Sequence, residues 1–159
     1  MIRRALFRIR KSFRFEAAHQ LWEGCFTRAC SDCIHGHTYR VELFVTARTR
    51  DSNDMVVDFG VMNGFKEKVM KEWDHAVLLP KRLERTHKDA ILKMCKKEKV
   101  QFLGANPTAE TLALFLYQEL MAYLTHNLET RDLEAREVRV EKVRVHETET
   151  GWAEYEEES

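Results

Sequence analysis

The sequence predicts an α+β domain, an antiparallel sheet of four strands in the order β-β-α-α-β-β with two main helices on one face. Three observations carry this prediction. Segments of alternating polarity fall toward the two ends of the chain, at 8–19 and 36–48 and again at 138–145 and 152–155. Between them, residues 59–73 and 107–124 repeat apolar side chains at three- and four-residue spacing. Strands at the ends and helices in the middle bury their apolar faces best as a sheet covered on one side. The 159 residues, with two prolines, six glycines and no low-complexity linker, read as a single domain over 1–159.

In the first strand Phe13, Phe15, Ala17 and His19 share one face, with Arg14 and Glu16 opposite. The basic start, "MIRRALFRIRKSFRF", has neither an apolar core nor a small-residue cleavage site. It reads as the approach to this strand rather than as a secretory signal, with a transit peptide as the weaker alternative. The second strand places Tyr39, Val41, Leu43 and Val45 on one face and Thr38, Arg40, Glu42 and Thr46 on the other. Phe44 breaks the pattern and points to a second surface buried in an oligomer.

The first main helix carries Phe59, Met62, Phe65, Val69 and Trp73 on its apolar face, and Asp58 is placed to cap it. Segment 81–99 holds eight Lys or Arg against three acids, with Ile91, Leu92, Met94 and Cys95 among them. It predicts a short helix in an insertion at about 80–104, either a solvated helix face or a basic flap near an anionic ligand. In the second main helix Leu112, Leu116, Leu120 and Leu124 form the stripe, with Asn106 as N-cap and Pro107 as first helical residue. Val138 and Val140 then stand one residue out of register with Val143 and Val145, which predicts a bulge near Glu141–Lys142. A strand from Trp152 to Tyr155 closes the order.

Charge excludes some functions. Lys plus Arg equals Asp plus Glu, at 26 each, so no general attraction to nucleic acid or to an anionic membrane is expected. No apolar run approaches the length of a membrane span. Three of the four cysteines lie close together, which fits metal or catalytic chemistry in a reducing, cytoplasmic setting better than a disulfide framework.

The stretch "CSDCIHGHTY" holds two cysteines and two histidines within residues 30–39. By strand parity His35 and His37 share the core face with Tyr39, Val41 and Leu43, and His19 shares it with Phe13 and Phe15. Paired as a hairpin with 20–34 as the connection, the two strands bring all three imidazoles to one end of the sheet. Three neutral imidazoles with an open fourth position are a typical catalytic zinc site. Alternatively Cys25, Cys30 and Cys33 join one histidine in a closed structural zinc site. In "WDHAVLL", Asp74 stands beside His75, either as a carboxylate that orients a proton carrier or as an ordinary polar helix end. In "VRVHETETG", Glu147 shares a face with Val143 and Val145. It is either a solvated strand end or an anchor for a flat ligand presenting two parallel N–H donors.

Taken in order, "FRFEAAH", "CSDCIHGHTY", "MVVDFG", "WDHAVLL", "NPTAE" and "VHETETG" resemble the 6-pyruvoyltetrahydropterin synthase / 6-carboxytetrahydropterin synthase family over residues 13–151. The resemblance implies a T-fold whose trimers form a barrel and stack in pairs, a hexamer with active sites between subunits. It implies zinc on His19, His35 and His37, Cys30 as catalytic base, and Asp74 and His75 completing a relay. It also implies Glu147 as pterin anchor, with Thr108 and Glu110 lining the pocket. Cys33 is a second candidate base, closer to "HGH" than the family places it, and the insertion is longer than in compact members. The "AAH" and the tight "ACSDCIHGHTY" look like the carboxy-forming branch. That branch converts 7,8-dihydroneopterin triphosphate to 6-carboxytetrahydropterin, releasing acetaldehyde and triphosphate, on the route to 7-deazaguanines such as queuosine. The alternatives are pyruvoyl formation, an aldolase-like cleavage on the same fold, and a non-catalytic zinc-stabilised binding module.

Overall fold

The computed structural model describes residues 6–22 and 28–158, so Cys25 lies outside the described residues. The long hairpin forms as its alternation requires. Strands β1 (Phe7–His19) and β2 (His35–Ala47) pair antiparallel from Phe7 opposite Ala47 to His19 opposite His35. Their odd-numbered residues make one face, where Phe15, Tyr39, Val41, Leu43 and Val45 are almost fully buried. Phe15 and Tyr39, directly opposite in register, stack with centroids 5.0 Å apart. The connection between them carries the short helix α1 (Arg28–Asp32).

Helix α2 (Phe59–Trp73) runs between the predicted limits, and the Asp58 side chain accepts from the Gly60 amide as the cap. Met62, Phe65, Val69 and Trp73 are its buried face, and it packs against β1. The chain then departs from expectation. The sheet has six strands, not four, in the order β4-β3-β1-β2-β5-β6. The additions are β3 (Ala76–Pro80) and β4 (Val100–Leu103), joined by α3 (Lys81–Met94), which at 14 residues is a full helix rather than a short one. Strand β3 runs parallel to β1, with Leu78 beside His19, and β4 runs parallel to β3. The physical reason is visible in "AVLL". A strand covered on both faces is continuously apolar and shows no alternation, and Ala76, Leu78 and Leu79 are all buried. A parallel pair also needs a crossover, which α3 supplies.

Helix α4 (Ala109–Asn127) lies across β5 (Arg139–His146) and β6 (Trp152–Glu156) with its leucine stripe buried. Its cap is Thr108, whose side chain accepts from the Thr111 amide, and not Asn106. Asn106 Oδ1 instead takes the Trp22 amide at 2.8 Å, and Pro107 stands outside the helix with its carbonyl engaged elsewhere. The bulge is where the valine slip places it. Phe44 pairs with Lys142 and Val45 with Val140, leaving Glu141 as the extra residue. On the even face Phe44 is half-buried under the Lys142 ammonium, while Glu42 is buried and bonded to Arg10 and to His146 Nε2.

One buried cation had no signal in the sequence. Arg136 follows the short helix α5 (Thr130–Ala135) and is 8% exposed. It forks onto the Asp132 carboxylate and donates to the Val56 carbonyl at 2.9 Å, while its own carbonyl accepts from the Arg48 amide at 2.8 Å. It thereby ties the segment after β2 to the turn entering β5. Replacement by alanine leaves the Val56 carbonyl unpaired, so Arg136→Ala is expected to cost about 2–3 kcal/mol in urea denaturation. A loss under about 0.5 kcal/mol would show that water replaces the guanidinium.

Candidate functional site

The hairpin register creates the site. His19 is the last residue of β1, His35 the first of β2, and they stand opposite each other, with His37 two residues along on the same face. One ring nitrogen from each of the three lies within 4.8 Å of the others. His19 is fully buried, its Nδ1 2.7 Å from the Pro107 carbonyl and 3.2 Å from the Tyr39 hydroxyl. His35 Nδ1 is 3.1 Å from the Cys33 carbonyl. A ring nitrogen facing a carbonyl must carry the proton, so in the neutral imidazole the other nitrogen is a bare acceptor.

His19 Nε2 and His35 Nε2, both acceptors by this reasoning, face each other at 2.9 Å. The His37 Nε2 beside them is buried with no hydrogen-bond partner. Such a cluster of lone pairs is repulsive unless a cation sits among them. Protonation is the poorer remedy, because burial lowers the pKa of His19 and of His37. Three neutral imidazoles, two of them oriented by backbone carbonyls, fit zinc with an open position. Glu147 Oε1 reaches to 3.6 Å from His19 Nε2 and 4.0 Å from His37 Nε2, so its carboxylate faces the same pole rather than a remote surface.

The cysteines divide. Cys30 lies on α1, half-buried, and its carbonyl accepts from the Leu21 amide at 2.9 Å, which folds α1 back onto the end of β1. Burial, then Glu147 and Cys30, hold the Tyr39 hydroxyl far above its ordinary pKa, as a fixed neutral group. Cys33 is exposed, its thiol 3.4 Å from the Ile34 carbonyl. Among the described residues the metal-capable group consists of the three histidines without a cysteine. Cys95 packs beside Leu79, Leu83 and Val100.

Asp74 and His75 form the turn from α2 into β3. The Asp74 carboxylate accepts from the Glu16 amide at 2.9 Å and pairs with His75 Nδ1 at 2.9 Å. His75 is in the left-handed region, φ 56°, with its amide on the Glu16 carbonyl at 2.6 Å. Its side chain is 76% exposed. It shares a shallow depression with His37, Gly36 and Thr38 but is not bonded to the histidine cluster. Thr108 is occupied in capping α4 and Glu110 is exposed in its first turn, both within three residues of Pro107. Sequence reasoning missed two parts. Tyr39 has the parity of a core residue, and parity does not reveal that its hydroxyl reaches His19. The Pro107 carbonyl is a backbone group, for which no side-chain signal exists.

The profile of the 6-pyruvoyl tetrahydropterin synthase family matches residues 8–158. A 6-carboxy-5,6,7,8-tetrahydropterin synthase of Aquifex aeolicus is 33% identical over 94% of this chain and 98% of its own. The one of Rickettsia conorii is 29% identical over 72% of this chain and 80% of its own. Among solved structures, an uncharacterized protein of Wolinella succinogenes superposes with TM-score 0.72 at 20% identity, covering 97% of this chain and 99% of that one. The Caenorhabditis elegans 6-pyruvoyl tetrahydropterin synthase follows at 0.66 and 18%, covering 99% and 100%. These two share the fold, so the expected α+β T-fold holds, with two more strands than the sequence indicated.

The Asp74 turn yields a pH prediction. Burial alone would raise the Asp74 pKa, but the Glu16 amide and the His75 ring outweigh it and hold it below its ordinary value. A depressed carboxylate contributes stability above its unfolded pKa of about 3.9 that is lost as pH falls through the folded value. Asp74→Asn keeps the shape without the charge. It is expected to be less stable than the parent at pH 7 in urea titrations, with the gap closing as the pH falls from about 5 toward 3. A gap independent of pH would assign the whole effect to lost geometry.

Proposed function

Since the chain belongs to the 6-pyruvoyl tetrahydropterin synthase family, we propose that it is a zinc-dependent 6-carboxy-5,6,7,8-tetrahydropterin synthase. Its substrate is then 7,8-dihydroneopterin triphosphate, and its products are 6-carboxytetrahydropterin, acetaldehyde and triphosphate, on the route to 7-deazaguanines such as queuosine. The supporting relatives carry the carboxy name, one across 94% of this chain. The observation that carries the chemistry is the buried, unpartnered His37 Nε2 beside the facing nitrogens of His19 and His35.

His19, His35 and His37 would hold the zinc. Zinc bound there supplies Lewis acidity, polarising the substrate's side-chain oxygens and acidifying the adjacent C–H and O–H groups. Glu147 accepts two N–H bonds from the amidine edge of the pterin and so fixes the ring relative to the histidines. Cys30, as thiolate, takes a proton from one side of the side chain. His75, oriented through Nδ1 by Asp74, moves protons on the other with its outward nitrogen. Thr108 and Glu110 border the ring pocket at the start of α4.

The chain acts as one domain with an embellishment at about 80–104, in the cytoplasm, as a homo-oligomer of trimers stacked into a hexamer. The exposed His75 ring supports an active site completed between copies, as does the sheet edge at β6, where Trp152 is 50% exposed. No described helix is long and apolar enough to cross a membrane.

Mass spectrometry after incubation of the zinc-loaded protein with dihydroneopterin triphosphate is the direct test. A pyruvoyl product, or cleavage to a hydroxymethyl pterin, would move the protein to another branch, and zinc binding without turnover would make it a binding module. Each of His19→Ala, His35→Ala and His37→Ala is expected to lose most bound zinc. Any single variant that keeps full stoichiometry removes that ligand. Cys30→Ala is expected to keep its zinc and lose roughly two to four orders of magnitude in kcat. Cys33→Ala is expected to be mild, and the reverse result would exchange their roles.

A further inference from the structure

At the pole that holds the histidines, the strand ends follow one another across the sheet. Glu147 follows β5, His37 and His35 open β2, His19 closes β1, and Lys81 follows β3. At about 4.8 Å between neighbouring strands, β5 and β3 lie roughly 14 Å apart across the sheet, with the histidine-bearing β2 and β1 between them. The cations at the β3 end are Lys81, Arg82 and Arg85, all exposed. Arg85 falls one turn beyond the other two on the same side of α3.

Two features set this patch apart from an ordinary solvated helix face. First, it leans toward the site. Leu78 is level with His19 and its carbonyl takes the Gln20 amide at 3.4 Å, so the end of β3 lies beside the segment that follows β1. The Arg82 guanidinium lies over the Trp22 ring, 5.9 Å from its centroid. Trp22 is itself held through its amide by Asn106, the neighbour of the Pro107 that fixes His19. Second, its charge is only partly offset, since the one acid that Lys81 feels, Glu84, is shared with Lys88. The first-turn acid, Glu84, is bonded to Lys88 at 2.8 Å. Among the described residues no carboxylate forms an ion pair with Lys81, Arg82 or Arg85. Cations there also oppose the helix dipole, an arrangement that an anion would relieve.

We propose that Lys81, Arg82 and Arg85 bind the triphosphate chain of the substrate. The order of groups along a pterin triphosphate, ring then side chain then phosphates, then matches the order Glu147, histidines, α3 across the sheet. The assignment rests on the pterin triphosphate reading above for its ligand, but not on the reaction. It makes the basic segment a specificity element that admits phosphorylated pterins and retains the released triphosphate.

The test is calorimetric titration of the zinc-loaded protein with inorganic tripolyphosphate and, separately, with unphosphorylated dihydroneopterin. Arg82→Gln is expected to weaken tripolyphosphate about tenfold and the triple variant K81Q/R82Q/R85Q about a hundredfold, from the loss of charge-assisted hydrogen bonds. Dihydroneopterin affinity and zinc content should hold at parental values. Lys93→Gln makes the same charge change near the other end of α3 and should leave tripolyphosphate binding intact. The subsite is overturned if the parent does not bind tripolyphosphate, if the triple variant binds it equally well, or if Lys93→Gln weakens it as much as Arg82→Gln. Arg82-dependent tripolyphosphate binding without turnover of dihydroneopterin triphosphate would sink the proposed reaction and leave the anion subsite standing.

Discussion

The register of β1 against β2 is the constraint from which the rest of the molecule follows. Antiparallel pairing with Phe15 opposite Tyr39 puts His19 opposite His35 at the open end of the hairpin. A slip of one residue would put His19 and the His35–His37 pair on opposite faces and break up the cluster. The register is held by apolar burial on the odd face, where Tyr39, Val41, Leu43 and Val45 have no exposed surface. The hydrophobic core and the polar site are therefore one device. The force that closes the core also places three nitrogens within 4.8 Å of one another.

That placement carries an energetic conflict. Burial favours neutral imidazoles, while neutral imidazoles whose Nδ1 atoms face carbonyls turn their lone pairs on each other. The surrounding structure keeps the conflict in place. Pro107 is available because Thr108, rather than Asn106, caps α4, and Asn106 in turn holds Trp22. Three imidazoles that could hold a metal ion are gathered only in the folded state, so a bound metal would add directly to its stability.

The neighbouring groups come from distinct strand ends. Glu147 follows β5 and Cys30 lies in the connection after β1, while Asp74 and His75 stand at the start of β3, bonded to Glu16. The two strands that the sequence did not announce matter here. Strand β3 runs parallel to β1, so its end, and the basic start of α3, arrive at the same pole as His19. In the expected four-stranded sheet, nothing decides whether the short helix of segment 81–99 is a solvated face or a basic flap near an anionic ligand.

What the sequence determined by itself was whatever periodicity and residue type encode. The hairpin, α2 with its Asp58 cap, the leucine stripe of α4 and the bulge at Glu141 all follow from local spacing, because burial on one face imposes a period on the chain. The shared parity of His19, His35 and His37 follows for the same reason. Only the tertiary structure decided the features that depend on what lies across from a residue. Strand β3 is apolar on both faces and so carries no period, and β4, at four residues, is too short to show one. The cap at Thr108, and the diversion of Asn106 to the Trp22 amide, were decided by competition for backbone partners. The Pro107 carbonyl is a main-chain group, and the Arg136 guanidinium finds one at Val56, so no side-chain letter marks either contact. The position of Arg82 over Trp22 depends on a parallel pairing between segments far apart in the chain, which local sequence does not record.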